Sequence, residues 1–391
     1  MADIVKFPVM LRRYRTPDPK TIPLRPWVMR GLLLRKQITA IIAAGGLGKS
    51  ILGLVIAWHL AAGKNYGPFR CNHGDRYRVA ILTCEEDPME FDRRMAAVKK
   101  HFGFTDDDEE YLHIVNIDEP PILAQADKNG HVCATKKLAE MEMLLGQYGI
   151  DVIIIDPFIE IWNGQENDNA QVKAAAAALR AVARRQDAAC MLMHHVRKGG
   201  VTPGDIDASR GGSSFGGLVR LAFTLCNMTH ESAMSFGIKS PKGIVRLDPA
   251  KSNYTPPAED AHWFKFANVD LENGTDGDNN SDRVGVLFPW VAPGLFENIG
   301  FDTIEKVLDA IQTPQGIGHE RYTFAAQAKE RYVAHPIAEL LEIDVGRAER
   351  IMKCWKKSGL LYEADYVGSK SRLKKGVFVD GSKRPSATAE V

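Results

Sequence analysis

The run Ile41-Ile42-Ala43-Ala44-Gly45-Gly46-Leu47-Gly48-Lys49-Ser50 constrains the fold more than any other stretch of this chain. An apolar strand enters a glycine-rich turn, and Lys-Ser opens the helix-forming run Ile51 to Ala62, which stops at Gly63. Glycines let the backbone turn tightly enough for successive N–H groups to converge on one phosphate, and the helix N-terminus adds partial positive charge. The pattern is that of a P-loop. The backbone from Ala44 to Ser50 cradles phosphates, Lys49 reaches the β/γ-phosphates, and the Ser50 hydroxyl ligates Mg²⁺. Ala43 replaces the first glycine of the pattern and is small enough to fit. A strand before and a helix after separate this site from an ordinary connector. The chain is expected to bind ATP with Mg²⁺.

Beyond the P-loop, apolar runs alternate with helical segments as far as about residue 268. Strands are expected at Thr39–Ala43, Val79–Thr83, Val152–Ile155, Cys190–Met193 and Leu221–Cys226, and helices at Ser50–Ala62, Pro88–His101, Thr135–Tyr148 and Ala170–Arg185. That alternation predicts an α/β fold, a mainly parallel sheet with helices on both faces. Continuous Ile/Val runs such as Val152–Ile155 suit strands covered on both sides. Residues 1–26 are basic and proline-rich and read as an extended lead-in. Residues 27–268 read as the P-loop domain, 269–299 as a linker rich in Asn, Asp and Gly, 300–382 as a second small domain, and 383–391 as a tail. At 391 residues the chain has room for two or three domains, and 45% hydrophobic with 25% charged residues is ordinary for a globular protein. Six scattered cysteines without Cys-x-x-Cys spacing argue against a disulfide framework or a zinc module, and for a reducing cytoplasm. No apolar run is long enough to span a bilayer, and no apolar stretch follows Arg12, Arg13 and Arg15, so neither a membrane partner nor a secretory signal is expected.

A P-loop needs a carboxylate to share its Mg²⁺. Asp156 closes Asp151-Val152-Ile153-Ile154-Ile155-Asp156-Pro157 at the C-terminal end of a strand, where α/β sheets place their ligands. Hydrolysis also needs a base for the attacking water. Cys84-Glu85-Glu86-Asp87-Pro88 follows another strand: Asp87 reads as an N-cap, Glu86 as the base, and Glu85 as the alternative. His195 ends a third strand beside the expected γ-phosphate. Gly212-Ser213-Ser214-Phe215-Gly216 fits a nucleophile-elbow pattern, but the turn-rich Val201–Arg210 replaces the strand that such an elbow requires, so a serine hydrolase is not expected.

With these residues in hand, the chain resembles the RepA-like branch of RecA-type ATPases, the hexameric helicases of plasmids and related mobile elements. The resemblance runs from Pro26 to about Phe266. It rests on Arg25-Pro26-Trp27-Val28, Ala43–Ser50, Glu86-Asp87-Pro88, Ile155-Asp156-Pro157, Glu166-Asn167-Asp168-Asn169, His194-His195-Val196-Arg197-Lys198, Ala208-Ser209-Arg210-Gly211, Lys251-Ser252-Asn253-Tyr254 and Trp263-Phe264. It implies Glu86 as catalytic base, Asp156 as the Mg²⁺ carboxylate and His195 as γ-phosphate sensor. It further implies Arg220 as an arginine finger acting across a subunit boundary, assisted by Lys251. A homo-oligomer, in the family a hexameric ring, and a replication partner protein follow from the same resemblance.

The C-terminal part reads differently. Asp302 and Glu305 look like a capping box opening a helix. A second helix at Pro336–Leu341, a third at Gly346–Ser358 and two strands, Leu360–Glu363 and Gly376–Asp380, follow in the order of a winged helix-turn-helix. In the third helix, Ala348, Ile351, Met352 and Trp355 share one face and Arg350, Lys353, Lys356 and Lys357 the other. With Lys370, Arg372, Lys374 and Lys375 downstream they make a basic surface for DNA, single- or double-stranded. Lys198, in a glycine-rich loop, is a candidate channel contact. Two readings are in play: an oligomeric ATPase acting on DNA as helicase or loader, and a nucleotide-controlled DNA-binding switch without unwinding. A small-molecule P-loop kinase is disfavoured by the second domain.

Overall fold

The computed structural model describes residues 14–72, 74–115, 121–165, 168–196, 202–206, 216–236, 238, 240–255, 261–274, 281–291, 294–297, 299–313, 320–368 and 372–384. Lys198, Lys370, Arg210 and the Gly212–Phe215 stretch lie outside them. Among the described residues no helix is long and apolar enough to cross a membrane.

Strands β1 (Trp27–Arg30), β2 (Ile38–Ala43), β3 (Arg70–Cys71), β4 (Val79–Thr83), β5 (Leu112–Ile114), β6 (Val152–Asp156), β7 (Ala189–His195), β8 (Leu221–Asn227), β9 (Ile244–Ser252), β10 (His262–Asp270) and β11 (Arg283–Pro289) build the larger part. Nine of them form one sheet in the order β11-β10-β9-β8-β2-β7-β6-β4-β5. From β8 to β5 the pairing is parallel, and β9 to β11 add an antiparallel edge. The P-loop strand β2 and the Asp156 strand β6 thus flank β7. The expected parallel α/β core is the one present.

Alternation along each strand splits the core in two. Ile41, Val79, Ile81, Val152, Ile154, Met191 and Met193 face helices α1 (Lys49–Ala61) and α2 (Pro88–Phe102). Ile38, Ala40, Ile42, Leu82, Ile153, Ile155 and Leu192 face α3 (Lys136–Tyr148) and α4 (Asn169–Arg185). Helix α1 lies close on the sheet because Gly53 has no side chain: a Cβ there would sit 2.7 Å from the Met193 methyl. Residues 283–289 pair along β10, so the sheet reaches past the expected 268 boundary and claims part of the segment read as linker. Alternating apolar residues at Val284, Val286 and Leu287 override the turn-like composition just before them.

A short helix, α5 (His230–Ser235), lies between β8 and β9, and after β11 comes the C-terminal unit: α6 (Phe301–Gln312), α7 (Ala334–Leu340), α8 (Val345–Ser358) and the hairpin β12 (Leu361–Val367) and β13 (Leu373–Val379). Tyr322 accepts a backbone hydrogen bond from Val377, adding a third extended segment to the hairpin. Ile304, Val307, Leu308, Ile337, Ala348, Ile351, Trp355 and Val377 form its separate core. The capping box is corrected. Gly300 is the N-cap and offers no side chain, so Glu305 falls too late in the helix to cap it and instead accepts from Arg384 at 2.7 Å. The third helix is capped by Asp344, which accepts from Arg347 N, and ends at Gly359 in the left-handed region, φ 76°.

Candidate nucleotide-binding site

The turn between β2 and α1 opens into a cleft of about 760 Å³ lined by Gly45, Gly46, Gly48, Lys49 and Ser50 together with Glu85, Glu86 and His195. Gly46 and Gly48 have φ of 77° and 86°, a region that L side chains rarely adopt. At Gly48 space forbids a side chain as well, since a Cβ would stand 2.5 Å from Phe266 Cζ. Ala43 is the last residue of β2 and keeps strand backbone, so the position of the pattern's first glycine requires no left-handed φ here.

The carboxylates expected from the sequence arrive from two parallel strands, Glu85 and Glu86 after β4 and Asp156 at the end of β6, and meet at the same edge of the sheet. Asp156 is buried and lines a small pocket together with Ser50 and Glu86. Burial raises its carboxyl above the usual range, while the Ser50 hydroxyl and Lys49 pull it back. Its Oδ1 is buried without a hydrogen-bond partner, as is Glu86 Oε2. Two orphaned anionic oxygens near a serine hydroxyl match the hard-oxygen donor set that Mg²⁺ takes, so these residues fit the ion.

Glu86 is held by Arg94, which also binds Glu90 at 3.0 Å. Burial raises the Glu86 carboxyl, Arg94 opposes the rise, and Asp156 reinforces it. Glu85 is half-exposed and lies 3.6 Å from His195 Nε2. Lys49 Nζ stands 3.3 Å from each ring nitrogen of His195. Glu86, Glu85, His195 and Lys49, the candidates for base, alternative base, sensor and phosphate-binding lysine, therefore share one cleft. Asp87 accepts from Met89 N as the N-cap of α2 and leaves the chemistry to its neighbours.

Arg220 and Lys251 are not there. Arg220 N donates to Ile38 O, and Ala222 pairs with both Ala40 and Lys251, whereas Ala43 at the cleft pairs with Leu225. Arg220 is level with Ile38, roughly 16 Å from Ala43 along the strand, and Lys251 is level with Ala40, roughly 10 Å from it, at about 3.3 Å per residue. Arg180 and Lys251 each have their protonation disfavoured first by burial and then by neighbouring arginines, Arg220 among them. Lys251 donates to Gly216 O at 2.6 Å.

Sequence reasoning passed over Arg93, Arg94, Phe266, Asp282 and Arg283, which also line the cleft. The period of two from Phe264 was a signal for Phe266. Arg283 looked like the end of a linker, and only sheet pairing brings it in.

The C-terminal basic surface is partly as expected. Lys353, Lys356, Lys357, Arg372 and Lys375 are exposed. Lys374 is tied to Glu320 at 2.6 Å. Arg350 is a correction: its Nε and Nη2 are buried without partners, so it does not present its charge on the open face. One turn earlier Gly346 abuts Met234 O of α5, and Arg347 donates to the carbonyls of Gly294, Leu295 and Glu297, so the first turns of α8 are covered.

Residues 13–201 match the family model described as an AAA domain, a little under half of the chain. The match contains the P-loop, Glu86, Asp156 and His195, and stops before Arg220. Among solved structures, the chain is similar to a KaiC-like protein from the hyperthermophilic archaeon Pyrococcus horikoshii OT3, with 14% identity over 61% of this chain and 90% of that one and a TM-score of 0.40. It is also similar to a DnaB-like replicative helicase from a structure addressing its interactions with primase. There the identity is 14% over 60% of this chain and 56% of that one, with a TM-score of 0.42.

Proposed function

We propose that this chain is a Mg²⁺-dependent ATPase that works as a homo-oligomer on DNA, with catalysis shared between neighbouring subunits. The meeting of Ser50 with Asp156 beside the P-loop carries the nucleotide half of this reading. Bound Mg²⁺ would be held by Ser50 and Asp156 and would neutralise charge on the phosphates. Backbone N–H groups of the Gly45–Lys49 turn orient the triphosphate, and Lys49 meets its terminal phosphates. Glu86 takes the proton of the attacking water at its carboxylate, a role suited to a carboxyl raised by burial. His195, touching both Lys49 and Glu85, reports whether the γ-phosphate is present.

The placement of Arg220 and Lys251 supports the oligomer. At the opposite end of β2 they cannot reach the nucleotide of their own chain, so an arginine finger at Arg220 has to act on a neighbour's. The C-terminal unit, in winged-helix order, supplies DNA contacts from Lys353, Lys356, Lys357, Arg372 and Lys375. A helicase or loader role in replication of a plasmid or mobile element fits this set. The covered first turns of α8 bear on the second reading, a nucleotide-controlled DNA-binding switch: a recognition helix reads bases through its N-terminal residues, so these turns have to be uncovered before it binds a site.

ATP hydrolysis measured with and without single- and double-stranded DNA tests both. Lys49→Ala should abolish nucleotide binding or turnover, and Glu86→Gln should keep binding and lose turnover. Normal turnover in Glu86→Gln would overturn the base assignment. Unwinding of a forked duplex selects the helicase; duplex binding without unwinding selects the switch.

A further inference from the structure

A second cleft, of about 710 Å³, lies between the β1–β3 pair and β9, at the end of the sheet remote from the P-loop. Arg30 and Arg70 line it, and they are direct cross-strand partners on the antiparallel β1–β3 pair. Side chains so placed start about 5 Å apart, and like charges there repel. Both are exposed. Arg70 donates only to Gly67 O, and Arg30 has no hydrogen-bond or ion-pair partner among the described residues. Lys251 adds a third cation, and the hydroxyls of Ser252 and Thr255, hydrogen-bonded to each other at 2.5 Å, leave one O–H free to donate. No carboxylate lines the cleft among the described residues.

Guanidinium and ammonium groups donate hydrogen bonds and accept none, so this wall asks for an acceptor-rich anion. Two arginines side by side offer paired N–H groups in the geometry that grips phosphate oxygens. Folding alone gains nothing from setting them opposite one another. We infer that the Arg30–Arg70 cleft is a second binding site, separate from the P-loop, for a phosphate-bearing ligand: a nucleotide's phosphates or the backbone of a nucleic-acid strand. Lys251 lies at its rim and joins this cleft to the end of the sheet that carries Arg220.

The test uses the full chain with Lys49→Ala, which disables the P-loop site in every subunit. Inorganic tripolyphosphate is titrated by calorimetry and a fluorescein-labelled oligothymidylate by anisotropy, each against the same protein with Arg30→Gln and Arg70→Gln added. Saturable binding of at least one probe should survive Lys49→Ala and weaken about tenfold or more when the arginines are neutralised, the worth of one charge-assisted hydrogen bond. An effect on tripolyphosphate alone identifies a free nucleotide as the ligand class; an effect on the oligonucleotide identifies a strand backbone. A melting temperature that does not fall shows that the fold is kept, and Arg70→Glu alone should lose binding in the same assay. The inference is overturned if Lys49→Ala removes all binding of both probes, or if neutralising the arginines leaves both unchanged. It is equally overturned if polyglutamate binds the cleft in preference to tripolyphosphate.

Discussion

The two ends of the central sheet differ in a way that divides labour. At the C-terminal end, the P-loop backbone and Lys49 face Asp156, Glu85 and Glu86, so cations and carboxylates are mixed and many charges have partners. At the N-terminal end, Arg30, Arg70, Arg180, Arg220 and Lys251 gather, with no carboxylate lining the cleft among the described residues. The first end is nearly a complete site within one chain. The second gathers cations whose side-chain acceptors among the described residues are the backbone carbonyls of Gly67, Leu218 and Gly216, an arrangement suited to something anionic arriving from outside.

The largest expected effect tests whether the two ends cooperate between subunits. Arg220→Ala should slow hydrolysis by about 10³–10⁵ while leaving nucleotide affinity nearly intact. Mixing it with the equally inactive Lys49→Ala protein should restore part of the rate, because one subunit type supplies the cradle and the other the finger. Absence of any recovery in mixed assemblies would confine each end to its own chain.

Glu86→Gln should reduce turnover by about 10²–10⁴. Its stability effect has the opposite sign. Burial raises the native Glu86 carboxyl, so its contribution is fully present below the unfolded value and is lost as pH rises through the raised one. The variant should therefore melt higher than the parent at neutral pH. A lower melting temperature would mean that Glu86 stabilises through Arg94 more than burial penalises it.

Helix α1 spans the two ends, and its far turn should respond to acid. His59 is packed among Tyr66, Phe102 and Phe104, donates to Val55 O at 2.8 Å, and is depressed from 6.5 to about 4, first by burial. A depressed value means stability present above the unfolded pKa and lost as pH falls through the folded one. Across that window the loss should approach roughly 3 kcal/mol. Thermal melts between neutral and acid pH should show it, and His59→Gln should flatten that part of the curve.

The smallest effect concerns the repulsion between Arg30 and Arg70. Arg70→Gln should raise stability by about 0.2–1 kcal/mol at low ionic strength, with the gain shrinking as salt screens the pair. Urea unfolding at two salt concentrations would measure it. A loss instead of a gain would show that the arginines are held by contacts other than one another.

Local pattern was enough to locate the P-loop, the parallel strands and the carboxylate at Asp156. Those signals are short: an apolar run of four to six residues, a glycine turn, an acid at a strand end. Strand bounds came within a residue or two for Val79–Thr83, Val152–Asp156 and Leu221–Asn227. The hairpin was seen but drawn too short, because the basic residues of β13 looked like a loop. Helix α6 was found with the wrong cap, since a glycine N-cap leaves no side-chain signature.

By itself, then, the chain's order of residues determined that a phosphate cradle stands on a covered parallel sheet, because turn chemistry and side-chain period are properties of neighbours. Only the tertiary structure decided what meets what. Strand register carried Arg220 and Lys251 to the end away from Lys49, set Arg30 against Arg70, brought Phe266 over Gly48, and added β11 to the sheet. The fold also buried two of the side-chain nitrogens of Arg350, a residue that the helical period had put on the open face of α8. Such distances depend on how segments far apart in sequence align, and a pattern read a few residues at a time holds no record of that alignment.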